Sequence, residues 1–332
     1  MDGILKKIKQ SDAFNRENRV PYLKVIVLMS LFTFVFLGAE FLFVNMISRI
    51  VSGHRSVAAQ NYALGVSAVG FVLYPLLCRF CKGNAQTSVS VCAAVISNAC
   101  LFLMCRSGSY TLTLIAGLLL FLILGVFGSA VFYKSLCLLE DNTHSARLTG
   151  ISYMLGTMLQ IANSNLVHID IAEAAILSVF IMLLALMLIR AEKNSVVPVL
   201  SKSEPDGGNG RESLKISVIL VFFVALMTCI FSTLDNAVTL IHASGEANIG
   251  QWPRVLLALS GLLAGFLFDT ASRKYMSIVM YCITVLSTTC LVILQFAGSF
   301  TAGLVIFYLA AGFFAVFFTV SFMEIARYTE TP

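Results

Sequence analysis

Two acids, Glu40 in "FLGAEFLFVNM" and Asp235 in "FSTLDNAVTLIHASG", stand inside long apolar runs. An acid in hydrocarbon costs about 3 kcal/mol by insertion scales, so each is expected to face a bundle interior or a watery cavity. There it can hold a proton, bind a cation or meet a polar solute. Thr228, Ser232, Asp235, Thr239 and His242 follow spacings of four, three, four and three, which put them on one helix face with Asn236 adjacent. Ser30, Thr33 and Glu40 form a thinner stripe, and Tyr153, Thr157, Gln160, Ser164 and His168 a third. Three polar faces imply one shared polar interior. Its candidate substrate- or ion-binding residues are Glu40, Asp235, Thr33, Thr228, Ser232, Asn236, Thr239, Gln160 and Ser164. The plainer reading of the Ser and Thr positions is interhelical hydrogen bonding, typically worth about 0.6 kcal/mol each. His168 and His242 fall near helix ends and read as interfacial; no metal site is expected.

The elements that carry these residues follow from composition. The 332 residues are 58% apolar and 12% charged, with a mean hydropathy of +0.90. Soluble domains carry roughly a quarter charged residues. This is the composition of an all-α integral membrane protein. Runs of about 20 apolar residues span the bilayer core as helices, and ten can be drawn: 22–49, 57–77, 86–105, 111–135, 146–167, 171–190, 215–241, 252–268, 275–296 and 301–323. The lack of ten-residue alternation argues against an outer-membrane barrel. The charged tail 1–21 lacks the apolar core and cleavage site of a secretory signal.

Lys and Arg accumulate on the cytoplasmic side of short loops. With the N-terminus cytosolic, all 22 basic residues except Arg49, Arg55, Arg106 and Arg254 fall inside. The net charge of +5 is thereby a topology signal, and no nucleic-acid partner is implied. The hydrophilic stretch 191–214 reads as a cytosolic linker between a six-helix bundle, 22–190, and a second bundle, 215–323, which ends in a cytosolic 324–332. Its "GGNGRES" lacks the Gly-Lys-Ser/Thr ending of a phosphate loop. The nine cysteines are scattered, and "CRFC" at Cys78–Cys81 has no second pair nearby to complete a zinc or redox site. All six prolines are expected at span ends or in loops, which favours rigid bundles that rock over discontinuous helices.

One loop is more specific. "GLLAGFLFDTASRKY" places Gly265, Asp269 and the pair Arg273-Lys274 at the cytoplasmic end of the eighth span. This resembles the G-x-x-x-D-x-x-G-R-R signature of the major facilitator superfamily, with Ser272 where the family has its second Gly. "GFVLYPLLCRFCKG", beginning at Gly70, echoes it at an offset of 195 from Gly265, aligning Arg79 with Lys274 but placing Tyr74 at the acid. The same offset carries Glu40 onto Asp235 and Thr33 onto Thr228, the internal repetition from which secondary transporters build two halves around a central site. "NTHSARLTGISYMLGTMLQ", around Arg147, is similar to the family's entry into its fifth helix.

The resemblance implies a 6+6 two-bundle architecture of which 6+4 helices are present, the chain stopping after the tenth span as a truncated form would. It implies a gating loop of Gly265, Asp269, Arg273, Lys274, Gly70 and Arg79, in which the acid makes charge-assisted contacts at an interface that breaks and re-forms. The function implied is secondary active transport of a small-molecule substrate across the cell membrane by alternating access, with a coupling proton or cation, no cofactor and no enzymatic chemistry. The fifth span has Gly150 and Gly156 but no Gly-Pro pair, which speaks against proton-coupled drug efflux of the family's antiporter kind. Two other readings stand beside it. One is a ten-helix drug or metabolite exporter built as five plus five; the linker and the offset speak against it. The other is a membrane receptor or scaffold with a degenerate transporter fold.

Overall fold

The computed structural model describes residues 19–81, 83–139, 144–194, 218–219, 221–226, 228–229, 232, 236, 252–270, 273–293 and 300–329. Every regular element among them is an α-helix: α1 (Arg19–Ile50), α2 (Gly53–Phe80), α3 (Asn84–Arg106), α4 (Tyr110–Leu138), α5 (Ser145–Leu166), α6 (Asp170–Asn194), α7 (Trp252–Thr270), α8 (Arg273–Ile293) and α9 (Phe300–Thr329). The described residues between 218 and 236 are helical as well. Together these fall on the ten spans drawn from the sequence. Most of the 1–21 tail and of the 191–214 linker, and the residues Asp235, Thr239 and His242, lie outside the described residues.

Six helical stretches among the described residues are long and apolar enough to cross a membrane: α1 to α4, Asp170–Ala191 of α6 and Ala302–Met323 of α9. The protein is therefore a multi-pass, all-helical membrane protein by length and composition. Helix α5 does not qualify by composition, because Thr149, Ser152, Thr157, Gln160 and Asn163 dilute its apolar residues, yet all five are buried. An apolar jacket of other helices makes its passage tolerable.

Two apolar cores form. The larger draws mainly on α1 to α4 and α6, and includes Phe32, Phe43, Leu101, Phe121, Leu124 and Leu177. The smaller draws on α7 to α9, with Phe268, Met280, Phe307, Phe313 and Phe317, and takes Ala146 from α5. Phe223 of the 218–236 segment stacks edge-on against Phe317 and so belongs with the second group. Helix α5 lies between the groups because its glycines let both sides come close. A Cβ at Gly156 would stand 2.7 Å from the Ser30 carbonyl of α1, and one at Gly150 would stand 2.8 Å from the Gly265 Cα of α7.

Two expectations change. Pro75 is not at the end of its span: α2 continues through it to Phe80, where the Cys81 N–H bonds the Leu77 carbonyl at 2.7 Å and closes the helix. A proline this near a C-terminus removes one hydrogen bond without stopping the helix. Gly70 lies within α2 and not in a loop, packed against α4 so tightly that a Cβ would overlap the Leu122 carbonyl oxygen.

Candidate functional site

Helix α1 is apolar nearly throughout, and Glu40 sits ten residues, about 15 Å, from its Ile50 end. The opposing α2 supplies the partner. Gln60 Nε2 donates to Glu40 Oε1 at 2.9 Å, a bond from a buried amide to a carboxylate. One residue on, Asn61 reaches the other helix group: its Nδ2 donates to Asn236 Oδ1 at 3.2 Å, while Ser232 Oγ donates to Asn61 Oδ1 at 3.4 Å. Asn61, Ser232 and Asn236 thus form a neutral polar clasp between α2 and the 218–236 segment.

A cation completes this region. Arg254, near the start of α7, lies 4.6 Å over the Phe41 ring, next to Glu40 in the chain. The Tyr153 ring of α5 packs against Gly261 of α7. Further toward the helix ends, Arg49 of α1 forms a two-pronged ion pair with Asp170 of α6, at 2.5 and 3.1 Å. Both ends of this pair are partly exposed, so it contributes little to stability.

The opposite end of the molecule carries the quoted loop motif. Asp269, at the last turn of α7, has its side chain 4% exposed. Its Oδ2 is 3.4 Å from Arg147 Nε and 3.8 Å from His144 Nδ1, both at the start of α5. The Arg147 guanidinium also lies 5.2 Å over the Phe266 ring. The described partners of the motif acid therefore come from the start of α5, the helix between the two groups, whereas the side chains of Arg273 and Lys274 lie outside the described residues. Gly265 is where α7 crosses Gly150 of α5, which is the reason the motif needs a glycine there.

Between the two ends lie polar atoms without partners. Ser30 Oγ of α1 and Thr157 Oγ1, Gln160 Nε2 and Asn163 Nδ2 of α5 are buried and meet no hydrogen-bond partner among the described residues. Buried polar groups in folded proteins are nearly always paired, by protein, water or ligand. Thr33 joins them by packing on Gly156. Ser164 and Thr228 are different, since their hydroxyls bond back to the Ile161 and Val224 carbonyls of their own helices, and Thr228 is exposed. Arg79 is exposed at the end of α2. No group of three metal-ligating side chains occurs among the described residues.

No protein-family model matches the chain, and no curated protein matches it.

Gln60, Asn61 and Arg254 were not visible as site residues in the sequence. Arg254 reads there as an outer-side loop cation, because a span boundary drawn in one dimension does not tell whether a terminal charge faces the loop or the bundle. Gln60 and Asn61 carry a readable signal in retrospect: they are adjacent polar amides in an otherwise apolar stretch one turn into the second span.

Proposed function

We infer that the chain is a secondary active transporter that moves a small polar solute by alternating access, in the manner of the major facilitator superfamily. The observation that carries this reading is the pairing across the two helix groups at both ends, with orphaned polar atoms of α1 and α5 between them. His144 and Arg147 meet Asp269 at one end; Asn61 meets Ser232 and Asn236, and Arg254 meets Phe41, at the other. The side-chain pairs at the two ends are polar, the kind that breaks and re-forms, whereas each group is held by its own apolar core. With N-terminal residues cytosolic, the Asp269 end is the inner gate and the Asn61 end the outer gate. Glu40, Gln60, Tyr153, Gln160 and Arg254 line the solute path and supply both signs of charge.

One observation favours the receptor or scaffold reading. Tyr74, which replaces the acid of the first motif copy, is buried and packs beside Tyr133 at 6.3 Å between ring centroids, as a fixed structural contact would. The experiment that separates the two is uptake from a mixed pool of small metabolites into energised proteoliposomes, read by mass spectrometry. Transport predicts that at least one polar solute accumulates in protein-containing vesicles and fails to do so when the ion gradient is collapsed. Equal solute content with and without protein would leave the receptor reading standing.

A further inference from the structure

Helices α2 and α3 follow each other in the chain but hardly touch, since both pack on α4. Toward the end where α2 and α4 finish and α3 begins, a groove lies between them, with α4 as its floor and Leu188 of α6 at its side. It encloses about 40 Å³, room for no more than about four waters, which is too little for a solute and suits a narrow chain. Its lining is graded. Gln86, Ser90 and Lys134 lie within two turns of their helix ends, whereas Ala93, Val126, Phe127 and Ala130 lie deeper. Val89 of its wall is exposed, so the groove opens on the outside of the bundle, where a membrane protein meets lipid. Cys78 and Cys81 of the CRFC pair are unbridged and belong to the α2 wall, each a small hydrophobe there. At the shallow end of the groove Lys134 Nζ donates to the Leu188 carbonyl at 2.6 Å. On these four helices the described charged side chains at this end are Arg79, Lys134 and Arg190, all cations. Counting Lys82, Lys193, Glu140, Asp141 and Glu192, whose side chains lie outside the described residues, five cations stand against three acids.

We propose that this groove binds a phospholipid with an anionic headgroup. One acyl chain lies along α4 between α2 and α3, and the phosphate meets Lys134 at the rim. Two features select that occupant. Polar groups at the rim and apolar walls further in follow the order of a phospholipid, whereas a free anion gains nothing from Val126 and Phe127. A net positive rim favours an anionic headgroup over a zwitterionic one, because each Lys or Arg near anionic lipid adds to the attraction. With the N-terminus cytosolic, the lipid belongs to the cytoplasmic leaflet. The proposal needs only that the helices cross a bilayer, and it stands apart from transport.

Photo-crosslinking of the protein in phosphatidylcholine nanodiscs tests it. The probe is phosphatidylglycerol with a diazirine midway along one acyl chain, phosphatidylcholine bearing the same chain is the comparison, and adducts are located by peptide mass spectrometry. In the parent, the phosphatidylglycerol probe is expected to mark α2 and α3 around Tyr74 and Ala93, about fivefold more than the phosphatidylcholine probe does. Ala93→Phe, which puts a ring in the groove, is expected to remove these adducts and to leave those on Ile278 and Tyr281, exposed on α8, as they were. Lys134→Gln is expected to bring the two probes close to equal labelling. No adduct in the groove of the parent overturns the site, as does groove labelling that survives Ala93→Phe. Equal labelling by both probes in the parent overturns the anionic headgroup, and an undiminished preference in Lys134→Gln overturns the contact with Lys134.

Discussion

Gln60 commits an amide N–H to Glu40 at 2.9 Å, and a hydrogen bond to a charged group contributes about 1.5–3 kcal/mol. Replacing it with Leu keeps the volume and removes the donor, and the ionised carboxylate loses more by this than the protonated acid does. The sign follows: Gln60→Leu is expected to lower the thermal unfolding midpoint at neutral and higher pH, with the deficit shrinking as acid protonates Glu40. Melting curves of detergent-solubilised protein at two pH values check this, and an equal deficit at both would mean that the amide serves packing only. Glu40 itself is legible in the sequence because a lone acid in an apolar run has no cheap structural explanation. Asp269 is legible for a different reason, its place in a loop motif, although its partners at the start of α5 are not. Contacts between groups more than a hundred positions apart leave no mark in local spacing.

Among elements, α5 has the largest consequence for its size. It is too polar to be a membrane span by composition, and it still passes between two apolar groups because Gly150 and Gly156 bring its backbone against α7 and α1. Filling one of these crossings is an overpacking change, which costs about 1–3 kcal/mol. Gly150→Val is expected to lower the thermal midpoint and to raise labelling of cysteines placed near the Asp269 end. Gly65→Ala, where a Cβ meets nothing within 4 Å, is the control and is expected to be neutral or slightly stabilising. The existence of ten helical elements could be read from hydropathy, since burying backbone polar groups in lipid leaves few alternatives to helices. The length of α2 could not, because Pro75 looks like a terminator in sequence and is accommodated near the helix end in the structure.

At the scale of the molecule, the helices pack around two apolar cores with α5 between them, and the proposed alternating access assigns its motion to that division. The charge asymmetry, with only four of the 22 basic residues on the other side, is the ground for expecting the linker in the cytosol. A cysteine at Gly208 in a cysteine-free background is therefore expected to resist an impermeant thiol reagent in intact cells and to react after permeabilisation. Efficient labelling from outside would invert the assignment of inner and outer gates. Motion itself calls for a distance at each end. Spin labels at exposed positions, Tyr62 with Leu259 toward the Asn61 end and Phe80 with Ile278 toward the Asp269 end, report both by pulsed electron resonance. Alternating access predicts that Asp269→Asn, which removes the charge facing Arg147, lengthens the Phe80–Ile278 distance while the Tyr62–Leu259 distance holds or shortens. Two distances that lengthen together, or that both stay at their parental values, would contradict it.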